Sequence, residues 1–260
     1  MSLSTTQIAE LRAAKTLLEN PGLAARITNA VGSPIERGFA LLPKKWATVV
    51  GDATRKSIET ALDVALWSMD QTGAPHPPSN WWHKLAVGAS GAAGGAFGLA
   101  ALAIELPVST TIILRSIADI ARSEGEDLTS PQGKLQCVQV LALGGASKND
   151  DAAETGYFAA RAAMAQAVAA ASAHLAHKGL SKGGAPALAR VIAEVATRFS
   201  INVSEKAAAQ AIPVVGALGG AMINTLFIDH FQAMGRGHFV VRRLERLHGV
   251  DEIRKIYDAL

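Results

Sequence analysis

The 260-residue sequence is poor in cysteine, in aromatic side chains and in net charge. Its one cysteine, Cys137, excludes a disulfide framework and any zinc or iron–sulfur site built from several thiolates. Aromatic residues make up 5% of the chain and the formal net charge is only +3. Stacking platforms and a strong basic excess are therefore both lacking, and we expect no nucleic-acid partner.

The motifs of several large enzyme classes are also missing. The sequence has no P-loop, no dinucleotide fingerprint, no zinc-binding His-Glu-x-x-His and no Gly-x-Ser-x-Gly nucleophile elbow. It therefore indicates no cofactor and no particular reaction. The first residues lack the basic and apolar regions of a secretory signal, so we expect a cytoplasmic location, which includes the inner face of the cytoplasmic membrane.

Alanine and helical periodicity are what the sequence has in abundance. About a fifth of the residues are alanine, and no segment alternates apolar and polar residues with the period of a strand. Ser4–Gln7 and Ser33–Glu36 have the pattern of helix-capping boxes, and apolar residues recur every three to four positions over Trp46–Met69. These signals predict an all-α protein, a multi-helix globular bundle.

Helix boundaries follow from proline, glycine and capping residues. Pro107 is expected to end one helical segment, and a new helix is predicted from about 108 to 122. A second new helix is predicted to begin at Ser204–Lys206 and to be interrupted at Pro213. A long alanine-rich helix is predicted over 151–177.

Two runs without any charged residue, 85–104 and 207–228, are the least usual part of the chain. Each is long enough to span a bilayer, but glycine, alanine and serine dominate the first run, and such residues favour insertion weakly. We favour two central helical segments buried in the bundle over membrane insertion. The pairs Gly91/Gly95 and Gly216/Gly220 are spaced for close helix contact, so we expect the segments to pack on each other.

The proline-rich stretch at 73–80 is the best linker candidate. It divides the chain into an N-terminal helical region with its linker, 1–78, and a helical core, 79–260, which we expect to form one compact unit. The sequence is also compatible with a homo-oligomer.

Scattered polar residues in apolar surroundings define a candidate site. His230 lies on the core-facing stripe of its predicted helix, and a buried imidazole needs a partner. We expect His230 and Arg236–His238 to converge with at least one of three glutamates. These are Glu105, Glu154 and Glu205. Two interpretations stay open, a structural hydrogen-bond network and an acid–base or metal site with His230, His238 and Glu105 as its metal ligands. The full candidate set is Glu105, Glu154, Glu205, Lys206, His230, Arg236 and His238.

A local excess of arginine follows on the same predicted helix. Arg236, Arg242, Arg243 and Arg246 carry guanidinium groups suited to phosphate oxygens. They are candidates for contact with anionic lipid head groups. The alternative is an ordinary solvated face that pairs with the acidic stretch Asp119–Asp127.

A set of short segments spread along the chain forms a further pattern. The segments are Glu105–Thr111, Ile117–Leu128, Leu143–Gly145, Glu154–Tyr157 with Arg161, Arg198–Phe199, Val203–Gln210, Pro213–Ala217, Ile223–Asn224, His230–Phe231 and Arg236–Arg246. Together they resemble the EcsC family of bacterial proteins, over roughly residues 40–258. The family takes its name from a gene beside an ABC transporter, and the resemblance implies a helical, intracellular protein but no catalytic residues. We therefore expect a membrane-peripheral or transporter-associated accessory protein, whose partner is an anionic membrane surface or a membrane protein. The alternative is a helical-bundle enzyme or metal-binding protein.

Overall fold

The computed structural model describes residues 3–19, 22–69, 98–144, 156–178, 186–212 and 220–260. Within these ranges the chain forms ten α-helices, one 3-10 turn at Val140–Ala142 and no strand, which confirms the all-α prediction. The helices are α1 Thr5–Glu19, α2 Leu23–Val31, α3 Ile35–Leu41, α4 Trp46–Met69, α5 Gly98–Ser123, α6 Pro131–Gln139, α7 Gly156–Lys178, α8 Pro186–Ala211, α9 Gly220–His248 and α10 Val250–Ala259.

Side-chain caps start the helices where short polar residues precede them. The Ser4 hydroxyl accepts from the Gln7 backbone N–H at 3.2 Å, and the Gln7 side chain accepts from the Ser4 N–H at 2.9 Å, so the first capping box is confirmed. The box predicted at Ser33–Glu36 is wrong. Helix α3 begins one residue later than a Ser33 cap requires, because Pro34 itself occupies the cap position, and no side chain caps the helix.

The predicted break at Pro107 is also wrong, because α5 runs through it. Proline removes one backbone donor and costs about 3 kcal/mol inside a helix. Burial offsets this cost, since Leu102 and Leu106 before the proline and Ile113 after it are fully buried. Helix α4 packs along this part of α5. Tertiary packing thus overrides the local signal.

Helix α8 is likewise continuous where a new start was predicted. The Ser204 hydroxyl donates to the Ser200 carbonyl at 2.6 Å, so it bonds within a helix instead of capping one. Buried Val195, Phe199 and Val203 keep the helical spacing across this position. The stretch 73–80, Gly91, Gly95, Gly216 and most of the first uncharged run lie outside the described residues.

The N-terminal helix packs directly on the long C-terminal helix α9. At their closest approach, a Cβ atom on Gly237 would lie 2.6 Å from Leu18 Cγ and 3.0 Å from the Ala14 carbonyl oxygen. Only glycine permits this separation. No helix among the described residues is both long enough and apolar enough to cross a membrane.

A second close approach joins α3 to α8, and it supplies a stability prediction. A Cβ atom on Gly38 would lie 2.0 Å from the Ala208 carbonyl oxygen, whereas one on Gly51 in α4 would meet nothing within 4 Å. We expect Gly38→Ala to lower the free energy of unfolding by about 2 kcal/mol or more, because backbone must move. The control Gly51→Ala should raise it by about 0.5–1 kcal/mol. Urea denaturation of both variants measures this, and equal effects would contradict the contact.

Candidate functional site

A buried ion pair joins two of the candidate residues. The Lys206 ammonium donates to Glu105 Oε1 at 2.8 Å, and the Lys206 side chain has no exposed surface. The ammonium also lies 4.8 Å from the centre of the Phe227 ring. Burial lowers the pKa of Lys206, and the Glu105 carboxylate opposes this effect. The polar residues next to the two uncharged runs therefore meet.

Glu205, next to this lysine, points to a different partner. Its carboxyl accepts a hydrogen bond from the backbone N–H of Ala24, in the first turn of α2. Free N–H groups at a helix start favour an anion. Burial nevertheless raises the pKa of Glu205 to about 7, and its Oε2 atom has no hydrogen-bond partner among the described residues.

His230 is buried, as its place on the apolar stripe predicts, with 1% of its surface exposed. It lies against Gly144, where an added Cβ would come within 2.7 Å of Nε2. Among the described residues, Nε2 has no hydrogen-bond partner, and no hydrogen bond or ion pair joins His230 to Glu105 or Glu205. Glu154 lies outside the described residues. Burial, aided by the positive charge of Arg26, lowers the pKa of His230 to about 4.

His238 has two partners, and neither is one of the expected glutamates. Its Nε2 atom lies 3.3 Å from Gln136 Oε1, and its Nδ1 atom lies 3.0 Å from the Tyr157 hydroxyl. Because Oε1 can only accept, Nε2 carries the proton and Nδ1 accepts from the tyrosine. Burial lowers the pKa of His238 well below its ordinary value, so the ring is neutral.

The network continues from Tyr157 to the surface. Arg161 donates to the Tyr157 hydroxyl at 3.2 Å and makes a two-pronged pair with Glu245 at 2.7 and 2.9 Å. We call Gln136, His238, Tyr157, Arg161 and Glu245 the His238 network. Of these five, only His238 was a candidate. The four-residue spacing of Tyr157 and Arg161, on one face of a helix, is the sequence signal that could have linked that pair.

The arginines of α9 are paired with acidic residues. Arg242 donates to both oxygens of Glu126, at 3.1 and 2.6 Å, and Arg246 donates to the same carboxylate. Arg243 bonds Glu124 at 2.7 Å and also reaches Glu10 of α1 at 3.0 Å. These arginines thus join α9 to the acidic loop after α5. This is the alternative given above to lipid contact, in which the arginines pair with the acidic stretch Asp119–Asp127.

Two candidates remain apart from these pairs. Arg236 is exposed and donates to Gln232 on its own helix at 3.3 Å. Among the described residues, no group of three or more His, Cys, Asp and Glu side chains is placed to hold a metal ion. The weak ligand candidates His230, His238 and Glu105 therefore have separate surroundings.

The raised pKa of Glu205 predicts a pH-dependent stability. The carboxyl titrates near 4.5 when unfolded and near 7 in the fold. Folding thus favours the protonated form, and this stabilisation is complete below pH 4.5 and lost as the pH rises through 7. The Glu205→Gln side chain is always neutral. The free energy of unfolding of this variant should therefore rise relative to that of the native protein as the pH increases from about 4.5 through 7, by up to roughly 3 kcal/mol.

Urea denaturation across this pH range measures the difference between variant and native protein. Glu59→Gln, at an exposed site with a surface ion pair, should differ from the native protein by less than about 1 kcal/mol at every pH. A pH-independent difference for Glu205→Gln would contradict the raised pKa.

The His238 network predicts a second loss of stability. Tyr157→Phe removes the donor to a fully buried imidazole nitrogen, and we expect the free energy of unfolding to fall by about 1–3 kcal/mol. Ser123→Ala removes an exposed hydroxyl and should change it by less than about 0.5 kcal/mol. Thermal or urea unfolding compares the two, and equal small effects would show that the tyrosine hydroxyl is not needed.

Comparison with known proteins gives one match. The model of the EcsC protein family matches residues 5–244, nearly the whole chain and including the N-terminal helices that lie outside the resemblance first noted. Neither the curated proteins nor the solved structures contain a significant match. Since the family model covers far more than half of the sequence, the chain belongs to the EcsC protein family.

Proposed function

We propose that this EcsC family protein is a peripheral membrane-binding accessory protein that meets an anionic lipid surface with one end of its helical bundle. The observation that carries the proposal is an exposed patch of apolar and basic residues where α3 turns into α4. We call this patch the α3–α4 corner, and it consists of Leu41, Pro43, Lys44, Lys45, Trp46 and Val49.

The composition of the corner is that of an interfacial anchor. Leu41 is 55% exposed and Val49 is 38% exposed, although large aliphatic side chains are usually buried. Lys44 and Lys45 lie exposed between them. Trp46 is half-buried against Phe39, with ring centres 5.5 Å apart. Tryptophan with lysine beside exposed aliphatic groups is typical of the boundary between lipid head groups and acyl chains.

The corner lies at the end of the bundle where the two uncharged runs border the polar core. Gly38, three residues before Leu41, packs on Ala208 in the last turn of α8. Lys206, about half a turn back, pairs with Glu105, which directly follows the first run. Near the start of α9, Met222 is a further exposed apolar side chain, with 39% of its surface accessible.

The arginines of α9 are less suited to this role than the sequence indicated. Arg242 and Arg246 share Glu126, and Arg243 is bound by Glu124 and Glu10. A lipid phosphate would meet guanidinium groups whose charge carboxylates already balance, so it gains less here than at unpaired cations. The lysines of the corner make no ion pair among the described residues, so their charge is available to an anionic surface.

Charge reversal at the corner tests the proposal. The native protein should co-sediment with vesicles of phosphatidylglycerol and phosphatidylcholine at low salt, and less at high salt. Lys44→Glu/Lys45→Glu should weaken binding at least about thirtyfold, since each lysine near the surface contributes about 1 kcal/mol. Leu41→Asp should weaken it with both lysines intact.

The control Arg12→Glu/Lys255→Glu changes the net charge by the same amount but reverses exposed charges on α1 and α10. It should bind vesicles as the native protein does. An equal loss of vesicle binding in both double variants would mean that only the net charge matters. It would contradict the assignment of the α3–α4 corner as the binding surface. No salt-sensitive binding by the native protein would overturn the proposal altogether.

A further inference from the structure

A cleft of about 370 Å³ lies between α6 and α7, on the side of the His238 network that faces solvent. Its walls are formed by Gln132, Gln136 and Gln139 of α6 and by Arg161, Ala165 and Ser172 of α7, and Arg242 of α9 joins them. We propose that this cleft binds a small polyhydroxylated anion, a carboxylate or phosphate ester whose hydroxyl groups lie along the glutamines. The inference is independent of the proposed membrane role.

The glutamine wall is built to bind polar groups. Gln132, Gln136 and Gln139 follow the spacing of one helix face, so their amides form a row. Gln136 and Gln139 are only 6% and 3% exposed, and Gln132 lies exposed at the opening. The Gln136 amide is oriented from behind by its contact with His238. Each amide supplies both donors and an acceptor, which suits hydroxyl groups.

The two arginines supply a prepared anion site. Glu245 holds Arg161 through Nη1 and Nη2, and Glu126 holds Arg242 through Nε and Nη2. A guanidinium has five N–H donors, so both groups keep donors beyond these bonds. Fixed, partly neutralised arginines bind oxyanions with little loss of side-chain entropy.

Ser172 marks the other end of the cleft. Its hydroxyl oxygen is buried and has no hydrogen-bond partner among the described residues. The residue is half-buried and lines the cleft, so a rotation of its side chain would bring the hydroxyl to a bound group. Arg161 and Ser172 are eleven residues apart on α7, about 16 Å along the axis. The cleft therefore favours an elongated molecule with its anionic group at one end.

Filling the cleft while keeping its charges tests the inference. Ala165 and Ala169 line the cleft on α7, and Ala163 and Ala170 lie exposed on the opposite face of the same helix. Isothermal titration with gluconate and with glucose 6-phosphate should give saturable binding to the native protein, and sorbitol, which has no charge, should bind at least tenfold more weakly. Ala165→Leu/Ala169→Leu should lose at least tenfold in affinity, and Ala163→Leu/Ala170→Leu should keep it.

A gentler variant separates binding from folding. Gln132→Ala, at an exposed residue that lines the cleft, should keep native helical circular dichroism and weaken both probes three- to tenfold, because a hydrogen bond to a bound hydroxyl is lost. Three results would each overturn the proposal. These are no saturable binding of either probe up to on the order of 10 mM, equal binding of sorbitol, and unchanged affinity in the filled variant.

Discussion

The buried pair of Lys206 and Glu105 is the interaction on which the arrangement of the helices depends. A fully buried ammonium without a partner would cost several kcal/mol, so α8 can lie only where its lysine reaches that carboxylate. This fixes the register of α8 against α5. The same ammonium lies over Phe227, which adds α9 to the junction, and Ala208, half a turn further on, receives Gly38 of α3. Four helices thus take their positions from one ion pair and its neighbours.

Helix α9 carries the second set of constraints, and these act one turn after another. Phe227 and Phe231 pack on Phe199 of α8, Gly237 lets α1 approach, and His238 enters the network with α6 and α7. The arginines of its last turns then bind the acidic loop. Each neighbour of α9 therefore makes a contact of different chemistry with it. Hydrophobic packing alone would tolerate a shift of α9 along its neighbours, but such a shift would break these specific contacts.

The sequence predicted the class of fold and several boundaries because those signals are local. The Ser4 box and the apolar rhythm of α4 each depend on residues within a few turns. Pro107 and Ser204 misled for the same reason, since local preference there is outweighed by burial against other helices. His230 was correctly expected to be buried, but its neighbour Gly144 comes from a distant loop, and nothing in the spacing of residues could have identified it.

The candidate site was predicted in part for a related reason. Charged residues beside uncharged runs have few possible partners, so the meeting of Lys206 and Glu105 could be expected. The partners of His238 are Gln136 and Tyr157, which are common in cores and give no signal by themselves. Neutral partners also explain why the network holds no charge at its centre. A neutral imidazole with one donor and one acceptor bond is fully satisfied, and the largely buried charge of Glu245 is neutralised by its two-pronged pair with Arg161.

The two ends of the bundle differ in how their charges are balanced, and the membrane role proposed above rests on this difference. At the end with the acidic loop, Arg242, Arg243 and Arg246 are matched by Glu124, Glu126 and Glu10, so side chains of the same molecule satisfy their charge. At the α3–α4 corner, basic and aliphatic groups are exposed together. Exposed aliphatic side chains are unfavourable in water, whereas lysine ammonium groups are not. A surface with an apolar interior under an anionic outer layer would bury the aliphatic side chains and keep the ammonium groups in polar surroundings. A lipid head-group layer has that order of polarity, and the interior of a protein partner does not.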